Sequence, residues 1–305
     1  MRAAILGETL VDLVWTVDSG RVEAKSGGSP VNVARALARL GRPVTLVTCW
    51  GDDPAGEVLQ KHLAASELDV IRAKSDCART MVALTYAPNR IGGAQCQIMP
   101  AWDPLELPLD QDIDLLHTGS LAGVLDPGAT RVLEACWRMS TRPGTAVSVD
   151  LNVRPAALPS RNAYRDAAAR LALLADVVKA SDEDLQWLFP EEQPLASARG
   201  LLDLGPQLVI VTHGAEGASA VTTEHEVHVK APEAAVVDPT GAGEAFQACL
   251  LDILLGGEAR THIRIPTAFT ALQEMLRRCV AAAAAACARS GTYAPTREEI
   301  DVLLR

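Results

Sequence analysis

Asp238 to Ala248 read DPTGAGEAFQA, and the residues that could do chemistry sit in the middle. Gly241, Ala242 and Gly243 carry almost no side chain where the apolar spacing beyond them predicts the start of a helix. N–H groups in a first helical turn have no partner within their own helix, so bare backbone there is an anion nest, and the helix dipole adds to the attraction. Glu244 follows at once, a carboxylate placed to take a proton from a hydroxyl attacking a bound phosphate. Capping by Asp238 or Thr240 would account for a helix start but not for two glycines in its first turn, which weaken it. No Gly-Lys-Ser/Thr follows, so this is not a Walker loop, and no Gly-x-Gly-x-x-Gly marks a dinucleotide fold.

Three further stretches carry polar residues at the edges of regular elements. Residues 27–41 read GGSPVNVARALARLG. Ser29 as N-cap, Pro30 in the first turn and Gly41 past the end describe a helix. Gly27, Gly28 and Asn32 are not needed for that and suit a polar ligand approaching the backbone. Asp150-Leu-Asn-Val-Arg154 follows an apolar strand pattern, which is where open α/β sheets bind ligands, and an Arg can clamp a phosphate or carboxylate. A turn in which Asp150 and Asn152 satisfy backbone groups is the plain alternative. Thr212-His-Gly-Ala-Glu-Gly217 supplies another turn after a strand. His225 and His228 have the spacing of a metal pair but no Cys companions, so a solvated hairpin is expected there. Cys96 and Cys249 read as small buried apolar residues.

The elements that position these residues alternate. Strand patterns at 2–7, 44–49, 113–118, 145–150, 174–179 and 207–212 are separated by helical patterns at 30–40, 54–66, 128–140, 160–172, 182–188 and 195–204. Two longer helices are expected at 241–256 and 267–289, the second containing the run Ala281–Ala286. Such alternation implies an α/β fold with a mostly parallel sheet covered by helices on both faces. Residues 12–26 and 79–100 lack helical periodicity, contain Gly20, Gly92 and Gly93, and read as a small β lid or a pair of surface hairpins.

With 49% apolar residues the 305-residue chain can bury a large core, and with only 4% aromatic ones that core must be Ala, Val and Leu. A net charge of −10 argues against nucleic acid or an anionic membrane as partner. Seven scattered cysteines without a Cys-x-x-Cys point to reduced thiols and a cytoplasmic location. Glu8 and Asp12 interrupt the first apolar run, and no segment offers the ~18 apolar residues of a membrane helix.

Taken in order and spacing, these stretches resemble the ribokinase-like PfkB sugar kinases, and within them the fructokinase and 2-keto-3-deoxygluconate kinase branch. The resemblance runs from Gly7-Glu8 with Asp12 through Gly27-Gly28…Asn32, Gly51-Asp52-Asp53, Asp150-x-Asn152-x-Arg154, Lys179-Ala-Ser-Asp-Glu-Asp184 and Thr212-x-Gly214-x-x-Gly217 to Asp238-x-Thr-Gly-Ala-Gly, ending near Gly291. It implies a single three-layer domain over 1–305 whose β lid, at about 12–26 and 79–100, closes over the sugar and pairs with a second subunit as a homodimer. Asp12, Gly27, Gly28, Asn32 and Asn152 would hold sugar hydroxyls, with Arg154 reaching the substrate or the transferred phosphate. Lys179, Ser181, Asp184, Thr212, Gly214, Gly217, Ala283 and Ser290 would line the nucleotide, and Gly241, Ala242 and Gly243 would hold the migrating phosphoryl group. ATP and Mg2+ are implied as cofactors, Asp184 touching the metal through water, and a monovalent cation is left open.

Where the family has an Asp as general base, this chain has Glu244, and where it usually has Asn-x-x-Glu, this chain has Ser181-x-x-Asp184. A base typically contributes about 10²–10⁴-fold, and a shift of roughly 1 Å in a reacting group costs about 10²-fold. The expectation is therefore a slowed kinase acting on a primary hydroxyl of a fructose-like ketose or a 2-keto-3-deoxy sugar acid. The alternative is a non-catalytic sensor that kept the pocket and lost the base.

Overall fold

The computed structural model describes residues 1–76, 79–86, 95–256 and 262–305. Among them, nine strands form one sheet in the order β13(Glu226–Val229), β12(Ala218–Val221), β11(Leu208–Thr212), β10(Val177–Ser181), β9(Ala146–Asp150), β8(Leu115–Gly119), β1(Ala3–Leu6), β4(Val44–Thr48), β5(Asp69–Arg72). All pairings from β11 to β5 are parallel, and only β12 and β13 run antiparallel at one edge. The inner strands are buried along their length, and their side chains alternate between two cores. Ala4, Leu6, Val147, Val149, Val178 and Val209 pack with α3(Gly128–Ser140), α4(Arg161–Ala172), α5(Asp182–Leu188) and α6(Pro194–Leu202). Ala3, Ile5, Leu46, Leu115, Val177 and Ile210 face α1(Ser29–Arg39), α2(Pro54–Ala64), α7(Ala242–Leu255), α8(Phe269–Cys287) and α9(Arg297–Val302). This is the three-layer ribokinase-like arrangement expected, its middle layer filled by β-branched residues and Leu.

A second sheet of four strands has the order β3(Arg21–Gly27), β2(Leu10–Thr16), β6(Met81–Tyr86), β7(Gln95–Met99). It is the small β lid, and it leaves the main sheet directly after β1 and returns through Gly27 into α1. Part of the expected lid, 87–94 with Gly92 and Gly93, lies outside the described residues, as does Cys77.

Several local expectations need correction. The strand expected at 174–179 is β10 at Val177–Ser181, because the Asp176 carboxylate accepts the Val147 N–H at 2.9 Å and closes the preceding turn. The strand expected at 113–118 begins at Leu115, Asp114 being held by the Arg2 N–H at 2.7 Å. β5 and α9 carried too little periodicity to be anticipated. Ser29 does not cap α1: Gly28, at φ 111°, occupies that position without a side-chain bond, and Ser29 is already helical. A side chain at Gly28 would approach the Glu8 carbonyl oxygen to 2.7 Å, which is why the chain needs glycine there. Cys96 is exposed rather than buried, because β7 is the outer strand of the small sheet.

Candidate active site

The carboxyl ends of β9, β10 and β11 deliver Asp150, Asn152, Arg154, Lys179, Ser181, Asp184 and Thr212 to one cleft of about 570 Å³. Its opposite wall is Pro239, Thr240, Gly241, Gly243 and Glu244 at the start of α7. A second cavity, of about 510 Å³, shares Thr212, Pro239 and Gly243 with the first and continues along Gly214, Gly217, Val236, Ala242 and Ala283. Its wall is largely alkyl, which suits a flat ring. Two polar-rimmed compartments thus meet at Gly243.

Gly241 caps α7 in the left-handed region, φ 87°, and its Cα hydrogens face Thr292, whose Cα would lie 2.9 Å from a Cβ. Gly243 is different: it is helical, exposed, and nothing stands within 4 Å of where its Cβ would be. The Ala242 N–H donates to the Pro239 carbonyl at 3.2 Å and the Ala245 N–H to Gly241 at 2.9 Å. The N–H groups of Gly241, Gly243 and Glu244 have no partner among the described residues. Three unpaired N–H groups thus gather at the start of α7, and that of Ala242 is not among them. Asp238 does not cap the helix either: its carboxylate accepts the N–H groups of Thr240 at 2.9 Å and Gly291 at 2.8 Å. Bonds from the Thr240 side chain, then from the Gly291 and Thr240 N–H groups, hold Asp238 below the usual carboxylate range. That carboxylate ties the α7 loop to the 291 turn. Glu244 is half-buried and its carboxylate has no hydrogen bond or ion pair among the described residues.

Across the cleft, Lys179 Nζ meets Asp150 Oδ2 at 2.7 Å, both groups buried, leaving Asp150 Oδ1 without a partner among the described residues. Ser181 and Asp184 form a capping box for α5, each accepting the other's N–H at 2.9 Å, and Asp184 Oδ1 accepts the Val153 N–H. Burial raises the Asp184 pKa, the Ser181 N–H opposing it. Among the described residues no cluster of three or more His, Cys, Asp or Glu is arranged for a metal. Asn152 sits at φ 39°, a conformation Asn tolerates better than most residues. Arg154 is exposed at the cleft mouth, its guanidinium donating among the described residues only to the Val153 carbonyl at 3.0 Å, while the Tyr164 hydroxyl bridges its backbone.

Of the expected sugar-binding residues, Asn152 and Arg154 line this cleft, whereas Asp12, Gly27, Gly28 and Asn32 form a separate group at the lid hinge. Asp12 lies in β2 and accepts the Thr85 hydroxyl at 2.8 Å. Gly27 is close enough that a Cβ would stand 3.7 Å from that of Asp12, and the Asn32 N–H donates to Gly28 at 3.1 Å. None of Asp12, Gly27, Gly28 and Asn32 lines the two cavities above, nor does Ser290, which is exposed. Gly214 is open, whereas a side chain at Gly217 would strike the Val229 carbonyl, so packing and its φ of 101° both require glycine at 217.

Sequence reasoning gave Glu8 no role. It is 2% exposed, its Oε2 accepts the Ala122 N–H at 2.9 Å, and burial pushes its pKa up to about 7 against bonds from backbone and Ser120. A lone acid ending an apolar strand was the available signal. Glu183 and Trp187 also line the cleft without having been given a role, and Thr240, considered only as a cap, joins them.

Residues 2–299 match the pfkB family of carbohydrate kinases. A fructokinase of Rhizobium leguminosarum bv. trifolii is 34% identical over 262 residues, 80% of this chain and 77% of its own. The aminoimidazole riboside kinase of Salmonella enterica, solved with aminoimidazole riboside and an ATP analogue, superposes with TM-score 0.82 at 26% identity over 100% of both chains. A double mutant of Vibrio cholerae fructokinase, solved with fructose, ADP and a potassium ion, gives TM-score 0.81 at 25% identity, covering 100% of this chain and 98% of its own. With a matching fold, a nest at the start of α7 and that sequence likeness, the chain belongs to the pfkB family of carbohydrate kinases, phosphotransferases that act on an alcohol group.

Proposed function

We propose that this kinase moves the γ-phosphate of ATP to a primary hydroxyl of a six-carbon keto sugar or a 2-keto-3-deoxy sugar acid. The observation that carries the reading is Glu244: an unpartnered carboxylate one residue beyond a free Gly243 N–H, where the two cavities meet. The base of ATP fits the alkyl wall near Ala283, and its phosphates fit the free N–H groups of Gly241, Gly243 and Glu244. The unpartnered Asp150 Oδ1 on the cleft wall suits a hydrated Mg2+ better than Asp184, whose oxygens are already engaged. Bound Mg2+ would screen the charge on the phosphates.

The acceptor oxygen attacks the γ-phosphorus as the bond to the bridging oxygen of ADP breaks, and Glu244 takes the hydroxyl proton. The positive end of α7 and the free N–H groups stabilise the charge that moves onto the phosphoryl oxygens. Arg154, exposed at the mouth, is free to pair with substrate. Asp12 and Asn32 reach the acceptor when the lid closes on the cleft, and a homodimer joined through the lid belongs to the same reading.

The GGSPVN form of the hinge and the likeness to fructokinases put keto sugars first. The test is acceptor-dependent release of ADP by the wild-type protein across ketoses, pentoses, nucleosides and 2-keto-3-deoxy acids. The greatest kcat/KM is expected with a six-carbon ketose. Binding of sugar and nucleotide without ADP release from any acceptor would replace the kinase with a sensor.

A further inference from the structure

Beneath the first turn of α7 lies a polar group that packing does not require. Gln247, three residues past Glu244, is 0% exposed. Its Nε2 donates to Ser148 Oγ at 3.1 Å and lies 3.4 Å from His117 Nδ1, and His117 Nδ1 and Ser148 Oγ are 3.2 Å apart. His117 and Ser148 are register partners in β8 and β9, and Ser148 stands two residues before Asp150. The three side chains therefore join the helix that carries the nest to the strand that carries the opposite wall of the cleft.

Burial, then the nearby Lys179 charge, pushes His117 down to about 3. The imidazole is neutral at working pH, and a bare Nδ1 can accept from both Ser148 and Gln247. Gln247 Oε1 has no partner among the described residues, so the network is not even fully satisfied. Phe246, Ala248, Leu250 and Leu251 already bury α7. An apolar side chain of the same shape at 247 would bind the helix at least as well, because a buried, half-satisfied amide is costly. Apolar packing leaves a helix free to slide or rotate slightly; directional hydrogen bonds do not.

Resting on the kinase reading above, we propose that Gln247 is a positioning residue, fixing the nest and Glu244 against the Asp150 wall through Ser148 and His117. It touches neither substrate nor nucleotide. Its effect is on geometry at the reacting atoms, where about 1 Å matters greatly.

The test is Gln247→Met, close in length and without hydrogen bonds. The account expects kcat to fall at least tenfold, KM for ATP and acceptor to stay within about threefold, and the thermal midpoint to hold or rise. The rate ratio between Glu244→Asp and Glu244 should also change at least fivefold between the wild-type and Gln247→Met backgrounds, since both act on one distance. Ser148→Ala removes the same tie from the sheet side, and the same pattern is expected if Gln247→Met folds poorly. A kcat within twofold of wild type, or a loss that only follows the folded fraction, overturns the proposal. A wild-type protein without turnover overturns the kinase reading first, and that failure is read from the wild type alone.

Discussion

The phosphate end of the cleft is embedded in the nine-stranded sheet, whereas Asp12, Gly27, Gly28 and Asn32, expected to hold the acceptor, hang from the hinge of the four-stranded one. At the phosphate end most polar side chains are already engaged. Lys179 is bound to Asp150, Asp184 accepts two N–H groups and Asp238 accepts two more. What remains free among the described residues is backbone N–H, Asp150 Oδ1 and Glu244. At the hinge, Asp12 makes one side-chain hydrogen bond and the Asn32 side chain none among the described residues. One end is pre-organised, as a group that must stabilise transferring charge should be. The other has uncommitted polar groups, as a lid that gains its partners on closing should have.

The largest separation between the two ends is expected from Gly243→Val. Nothing crowds that position, so the fold should lose little, while the side chain covers the free N–H groups. Phosphoryl transfer should fall by about 10²-fold or more with a modest drop in thermal midpoint. Near-normal turnover would place the phosphate elsewhere. Asp12→Ala should do the converse. Acceptor affinity, measured by calorimetry, should fall by about 10–100-fold, as for lost hydrogen bonds to a charged group, with ATP binding unchanged. Equal effects on both ligands would erase the distinction between the ends.

Glu8 supplies a smaller effect, on stability. Its carboxyl pKa is raised from 4.5 to about 7, so between those values the folded chain holds a proton that the unfolded chain has lost. Stability from this group is complete below pH 4.5 and is lost as pH rises to about 7. Glu8→Gln, which has no proton to lose, should gain on wild type across that window, reaching on the order of 3 kcal/mol above pH 7. Denaturant midpoints of the two proteins at pH 5 and pH 8 measure it; parallel behaviour would mean that Glu8 is ionised in the fold.

The phosphate end was also the more legible in sequence. GAGE announces itself because two glycines so close to a helix start weaken it unless something approaches the backbone, and strand ends at Asp150 and Thr212 follow from apolar runs, whereas β10 runs two residues past its expected end to Ser181. The seam of His117, Ser148 and Gln247 was not legible. Its members are 130 residues apart along the chain at the extreme, and a Gln inside an apolar helical pattern looks like any polar interruption until β8 and β9 are laid side by side. Asp238 was legible only in part: one of its partners, Thr240, is local, but the other, Gly291, is 53 residues away. Ser29 failed because a left-handed Gly28 took the capping position, a choice imposed by the close approach of Glu8.

The central claim is that Glu244 accepts the acceptor proton beside a phosphate held on α7. The most direct measurement is kcat for wild type, Glu244→Asp and Glu244→Gln with the best acceptor at fixed pH. Asp differs from Glu mainly in reach, and the acidities are nearly equal, so a change reports position. The account predicts that Glu244→Asp is faster, by anything up to roughly 10²-fold, with the ATP KM little altered, and that Glu244→Gln falls well below wild type. A Glu244→Gln variant as fast as wild type would contradict it, because an amide cannot take the proton.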